Sequence, residues 1–496
     1  MPTAKHAAVF HRYPIPIAAP SRYALPMSNN ANNSTPPRPT SAPDESAASE
    51  GELQRRFGMS TATFVVVASM VGTGILISPG YMMASLQNYP AIFGLWLLGG
   101  ILAICGALCV AELAAALPQA GGEYVYLREA YGPMPAFVSG WTSFVVGFSA
   151  PLAVAASVAA TYLLTPFGLA PANGESSRLV QAVAAVIIVV ITVPNLLGYR
   201  QSAWTQNLTT LLKLGLFVVL VLAGFLFGRG SVSYLKQGQP LQGVQLGTAA
   251  SQLFYVMFAY SGWNAASYLA GEVKNPGKVL PRSLLIGSLL VVGLYLGLNL
   301  VFAYAVPLAE VTFGNAEQVP QLAAERMFGT RISNAFAMGV GLTFLATVSA
   351  FIVTGPRVYY AMAKDGLFPS IAARINPRTQ VPTYAMAAQS LCAIGLLFTG
   401  KFEDLFQFAA VGLGLFSMLI IAAVFVLRYR RPDLERPFRT PLYPLVPALF
   451  LLVTLFTTVY AFKVWGWIPA IGLATILAGI PIYYLWRFFQ GLSSKP

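Results

Sequence analysis

Few residues in this chain have the type and spacing to do chemistry. His6 and His11 are the only histidines, and both precede the first apolar run, so a histidine-based triad or metal centre has nothing to assemble from. Cys105 and Cys109 share a helix face at i, i+4, but two thiols alone make a poor metal site, and with Cys392 they read as packing residues inside apolar segments. There is no phosphate-binding Walker loop and no G-x-S-x-G elbow. An enzyme is therefore not expected, and neither a cofactor nor a metal. Three features remain. "MVGTGILISPG", Met70 to Gly80, sets Gly72 and Gly74 around Thr73 in the middle of an apolar run. "FAYSGWN", Phe258 to Asn264, does the same with Ser261 and Gly262. Lys213, in "NLTTLLKLGLFVV", is the one charge well inside an apolar stretch. A helix that stops mid-run offers amides to an anion or carbonyls to a cation, and a lone buried lysine offers a fixed positive charge.

The elements that position these residues are membrane helices. The chain has 496 residues, 56% hydrophobic and 9% charged, against about 25% charged in ordinary soluble domains. A helix needs ~20 apolar residues to cross a ~30 Å hydrocarbon core. Twelve runs qualify, at 60–85, 90–116, 134–165, 178–197, 204–228, 249–271, 283–306, 331–361, 381–400, 403–427, 445–463 and 468–488. The net charge of +13 could suggest nucleic acid, but placing the N-terminus in the cytoplasm puts most of the 30 basic residues on that side. Outside remain Arg178, Arg229, Lys236, Arg326, Arg331, Lys401 and Lys463, so both termini are expected to be cytoplasmic and no nucleic-acid partner is expected. Residues 1–57 are rich in Pro, Ser, Ala and Asn and are expected to be a disordered tail.

The two glycine-containing breaks sit at matching places. Each lies about twelve residues into its run, the first and the sixth, and five spans separate the two starts, so the runs point in opposite directions. That pattern predicts two inverted repeats of five helices, 58–228 and 249–427, followed by a basic cytoplasmic loop, 428–444, and two further helices within 445–496. In lipid, non-helical backbone survives only where protein or a cavity satisfies it. Opening the first run at Gly72 to Gly74 leaves the amides of Thr73, Gly74 and Ile75 at the positive head of a half-helix, a seat for a carboxylate. Breaking the sixth near Tyr260 to Gly262 aims the carbonyls of Phe258 to Ser261 at the same depth, a seat for an ammonium. One site holding both charges fits the backbone of an α-amino acid. Glycine is also a close-packing residue in membrane helices, and a single Gly-x-Gly would be read that way; the matched pair favours the break.

Five stretches then carry a resemblance: "VGTGILISPG", "AELAAALPQAGGEYVYLREAYGP", "FAYSGWNAASYLAGEVKNPGKVLPRSL", "RVYYAMAKDGLFP" and "RYRRPDLERPFRTPLYPLVPAL". From about residue 58 onward the chain resembles the amino acid/polyamine/organocation (APC) superfamily, in particular the L-type amino acid transporter branch and its bacterial homologues. The resemblance implies an all-α LeuT-like fold of 12 transmembrane helices working by alternating access. Carried over by position, it implies that the amides of Thr73 and Gly74, beside Gly72, hold the substrate carboxylate. The carbonyls of Met70, Phe258 and Ser261 would hold its ammonium, the ring of Phe258 would gate the site, and Trp263 and Asn264 would shape the rest. The family usually has Ser or Ala where Thr73 stands.

Lys213 lies nine residues beyond Trp204, ~13 Å along the axis, just under halfway across the core. It reads as a functional cation facing the bundle, with snorkelling to the near interface as the competing reading. The resemblance places it where sodium-coupled relatives bind sodium, between the broken first helix and the eighth, which implies sodium-independent transport. Glu112 and Glu272 fall near helix ends and every other acid in a loop, tail or helix end, so no carboxylate is expected at the site's depth and neutral substrates are the first choice. Glu272, Asn275, Pro276 and Arg282 are read as organising an inner loop and gate, and "RRPDLERPF" as a basic loop near anionic lipid.

The expectation is thus a secondary transporter of neutral L-amino acids, as exchanger or as proton-coupled or facilitated permease, in the plasma (inner) membrane. Transport of polyamines or cationic amino acids, or a sensor with the same fold, are the alternatives. Heteromeric L-type transporters join a heavy subunit through a cysteine between the third and fourth spans. That loop, "TPFGLAPANGESSRLV", has none, so a disulfide-linked partner is not expected.

Overall fold

A computed structural model describes residues 53–169, 177–238, 245–398, 402–464 and 468–493, and these are helical apart from turns and two isolated bridges, Phe57 with Val273 and Asn88 with Gly238. The expected disordered tail falls almost wholly outside the described residues, as do Lys401 and much of the loop after Phe167.

The first apolar run is two helices, α1 (Met59–Met70) and α2 (Gly74–Leu86). Then come α3 (Tyr89–Ala116), capped by Asn88, whose side chain accepts from the Ala91 amide at 2.8 Å, and the short α4 (Glu123–Tyr131). The third run is α5 (Pro133–Thr142) and α6 (Ala150–Leu164), joined through a π-helical turn at Ser143–Ser149. α7 (Arg178–Leu196) and α8 (Tyr199–Phe227) complete the first half.

The sixth run splits like the first, into α9 (Leu246–Ala259) and α10 (Ala265–Tyr268). After them follow α11 (Pro276–Ala305), α12 (Val319–Phe328), α13 (Thr330–Lys364), α14 (Thr383–Leu396), α15 (Phe402–Arg430), α16 (Leu445–Val464) and α17 (Ile468–Ser493).

Among the described residues ten stretches are long and apolar enough to cross a membrane, where twelve were expected. The sixth and ninth runs fall short: each contains a helix of 14 residues, α9 and α14, which at ~1.5 Å per residue spans only ~21 Å. The sixth is cut by its break, and the ninth is helical only from Thr383, behind Pro382, to Leu396. The basic loop expected at 428–444 begins later, because α15 continues through Arg430.

The broken first helix is the centre of the packing. α1 lies against α8, α11 and α13, while α3 packs on α11 and α9, and α13 on α6. In the most apolar 18-residue window of Met59–Leu86, 78% of residues are buried, against 28% for Asn207–Phe227. α8 therefore turns one narrow face inward, including Lys213 and Phe217, and shows Leu211, Leu212, Val218, Val219 and Leu222 outward, a surface suited to acyl chains.

Candidate functional site

The two breaks meet. A methyl added to Gly74, at the head of α2, would fall 2.4 Å from Cα of Ala259, the last residue of α9. One added to Gly262 would fall 2.8 Å from the backbone of Ser69, near the end of α1, and Gly262 also has φ +98°, a conformation that glycine adopts without steric cost. Backbone therefore packs directly on backbone at both crossings. Gly72 is different, since the nearest atom to an added methyl is the Met70 carbonyl at 3.8 Å. The sequence pairs Gly72 with Gly74, and the structure separates them into one open position and one close approach.

The ends left by the breaks have the polarity expected of them. Thr73 caps α2, its carbonyl accepting the Leu76 and Ile77 amides, both at 3.1 Å, and the amides opening α2 precede any acceptor in their own helix. α9 closes with the Tyr260 amide on the Val256 carbonyl at 3.0 Å and the Ser261 amide on that of Phe258 at 2.9 Å. Tyr295 of α11 ties the two breaks together: its hydroxyl lies 2.7 Å from the Met70 carbonyl and 3.2 Å from that of Ala259. Nothing in the spacing of the sequence pointed to Tyr295, because its partners are main-chain atoms far along the chain.

A cavity of about 130 Å³ lies where the breaks face each other. Its wall includes all eight residues expected at a substrate site: Met70, Gly72, Thr73 and Gly74 from the first break, and Phe258, Ser261, Trp263 and Asn264 from the second. The π-helical turn of the third run contributes Ser143, Gly147 and Phe148, consistent with such turns marking functional sites. A smaller space of about 50 Å³ adjoins it, sharing Phe258, Ser261 and Trp263, and is otherwise walled mostly by apolar groups of α3, α9 and α16, among them Leu102, Met257 and Phe450.

Lys213 is 1% exposed and does not reach an interface. Its ammonium donates to the Val71 carbonyl and to Thr347 Oγ1 on α13, with the Ala68 carbonyl at 3.4 Å, and Thr347 Oγ1 itself donates to Val71 at 3.0 Å. A cation thus sits on the last carbonyls of α1, the negative end of that half-helix. Lys213 is not the only buried cation, however. Arg357 is 1% exposed within α13 and grips Glu272 through two bonds of 2.8 and 3.1 Å. The Glu272 carbonyl in turn accepts the Arg56 and Phe57 amides at 2.7 and 2.8 Å, and the Lys274 amide donates to Phe57 at 3.0 Å. The segment entering α1, the turn after α10 and α13 are latched together.

Glu112 is held similarly, by Arg428 at 2.8 and 2.6 Å and the Thr440 amide at 2.7 Å, with Arg436 at 3.5 Å. Part of the basic loop is therefore engaged within the protein and does not all face lipid. Sequence reasoning missed one acid. Glu123, at the start of α4, lines the cavity and accepts from Asn264 Nδ2 at 2.5 Å. The expectation of no carboxylate beside the site is corrected: Gly121 and Gly122, at φ +116° and +49°, turn the chain so that a residue assigned to a loop faces inward.

A bundle of apolar helices, two of them broken around a shared cavity, defines a membrane transporter class. The chain belongs to the amino acid permease family, which it matches over residues 57–488. It is similar to the cystine/glutamate transporter of Homo sapiens, 28% identical over 452 residues covering 90% of this chain and 89% of that one. It is also similar to the large neutral amino acids transporter small subunit 2 of Rattus norvegicus, 27% identical over 474 residues covering 93% and 87%. The serine/threonine exchanger SteT of Bacillus subtilis is 28% identical over 438 residues, covering 87% of this chain and 97% of that one.

Proposed function

We propose that this chain moves neutral L-amino acids across the membrane by alternating access, independently of sodium. Transport of amino acids follows from membership of the amino acid permease family. The observation that supports the finer reading is the meeting of the two breaks, with Thr73 and Gly74 from one and Phe258 and Ser261 from the other lining one cavity. The amides of Thr73 and Gly74 take the carboxylate of the substrate and the carbonyls of Phe258 and Ser261 its ammonium, while Phe258, between the two spaces, closes over it. The apolar annex beyond Phe258 takes an uncharged side chain.

In this reading α1 with α2 and α9 with α10 are the broken first and sixth helices of two inverted five-helix repeats. Counting α9 with α10 and α14 as crossings brings ten helices to twelve, both termini lie in the cytoplasm, and the membrane is the plasma membrane. Lys213 keeps a positive charge at the end of α1 where a sodium ion would otherwise be needed. The exchange mode is supported by the similarity to a serine/threonine exchanger. The test is counterflow in proteoliposomes with twenty labelled amino acids, with and without internal amino acid. Neutral amino acids should accumulate only when an internal amino acid is present, and equally in sodium and potassium; accumulation of none of the twenty would defeat the reading.

A further inference from the structure

Three glutamates are buried among the described residues, and they are not equivalent. Glu112 has Arg428, and Glu272 has Arg357, each through two bonds. Glu123 is 9% exposed, lines the central cavity, and its bonded partners are neutral: Asn264 Nδ2 at 2.5 Å and the Tyr268 hydroxyl. The surrounding charges are committed elsewhere. On α4 itself Arg128 pairs with Asp365 at 2.6 Å and Glu129 at 3.1 Å. On α13, Arg357 holds Glu272 and Lys364 lies over the Tyr360 ring; on α15, Arg428 holds Glu112 and Arg430 donates to the Ala130 carbonyl, and just beyond it Arg431 lies 3.7 Å from Glu129. α5 carries no ionisable side chain.

A second observation concerns hydroxyls. Tyr126, near enough to sense the Glu123 charge, and Ser267 approach each other without a hydrogen bond of good geometry, so both buried hydroxyls lack a protein partner. Such groups are ordinarily satisfied by water. A carboxyl without a cation, beside unsatisfied hydroxyls and on the wall of a cavity that must alternately seal and fill with water, is suited to exchange protons.

We propose that Glu123 is a proton-binding group of the transport cycle: one of its carboxylate oxygens takes a proton from water when the cavity seals, and returns it to water when the cavity opens. The inference rests on the transport reading above and adds a coupled proton to it. Asn264 and Tyr268 connect it to the substrate break, since both lie on the segment that follows Gly262, so a movement of α10 changes the surroundings of the carboxyl directly. Burial pushes the Glu123 carboxyl up to about 7 from its ordinary 4.5. A raised value means that the sealed state carries no penalty below the ordinary value of 4.5, is penalised by up to about tenfold per unit as pH rises from there to about 7, and is penalised no further above it.

The test is exchange of the amino acid giving the largest counterflow in the twenty-member panel, at equal internal and external pH from 5.5 to 8.5. The wild-type rate is expected to fall about tenfold between pH 5.5 and 7 and to level off above about pH 7.5. Glu123→Gln, whatever its absolute rate, should give a profile flat within about twofold, because the amide stands in for the protonated acid. A flat wild-type profile, or an unchanged profile in Glu123→Gln, overturns the proposal while leaving transport intact. Exchange of none of the twenty defeats the transport reading itself, and this inference with it. Should Glu123→Gln fail to fold, a pH-indicator dye in weakly buffered detergent solution decides with the wild type: adding the same amino acid at about pH 6 should take up close to one proton per chain, and no uptake overturns the proposal.

Discussion

In the proposed cycle Lys213 does at one point what would otherwise need a bound ion. Its ammonium caps carbonyls at the end of α1 and ties them to Thr347, so a half-helix that stops short is joined to its neighbour. Removing the side chain leaves the Val71 and Ala68 carbonyls without their cation in a site too dry for water to replace it freely. Lys213→Ala is expected to lower uptake by about tenfold or more, equivalent to ~1.4 kcal/mol or more, and to gain no sodium dependence; normal uptake by this variant would remove Lys213 from the mechanism. The glycines divide in the same way. Gly74→Ala pushes a methyl against Ala259 and should abolish measurable counterflow, whereas Gly72→Ala meets open space and should keep most of it. Equal losses in both would mean that the crossing of the breaks is not where the constraint lies.

Among the elements, the latch at the start of α1 shows where a sequence runs out as a guide. That the first and sixth runs break was legible, because glycine and polar residues interrupt long apolar stretches at matching positions. That Glu272 and Arg357 pair was not, since 85 residues separate them and a charge near the end of an apolar run does not name its partner. Glu123 was missed because charge suggests solvent, and only two positive-φ glycines redirect it. The latch also makes a stability argument. Glu272→Gln leaves Arg357 buried without its counter-charge, at a cost of about 3–5 kcal/mol, whereas Glu272→Leu with Arg357→Met removes both charges and should recover most of it. Thermal unfolding of purified protein checks this. A double variant no more stable than the single one would mean that the pair is valued for the bonds of Glu272 and Arg357 to other groups, such as the Val353 carbonyl 2.6 Å from Arg357.

For the molecule as a whole, composition settled the class, as a chain with 9% charged residues that runs apolar for ~20 residues at a time has to be embedded in lipid. Counting crossings was harder, since α9 and α14 are each too short to register by length, and it is the pairing of α9 with the break at Gly262 that argues for a sixth crossing. That the chain works alone is a prediction to be tested. Its three cysteines are free, Cys105 and Cys109 buried within α3 and Cys392 partly so within α14, none at a loop where a second chain could be linked. The exposed apolar face of α8 suits acyl chains. The purified single chain in proteoliposomes is therefore expected to reach the counterflow rate measured in native membrane vesicles to within about twofold, and to migrate identically on reducing and non-reducing gels. A shift on the non-reducing gel, or transport that appears only when a second polypeptide is added back, would show that the transporting unit is larger than this chain.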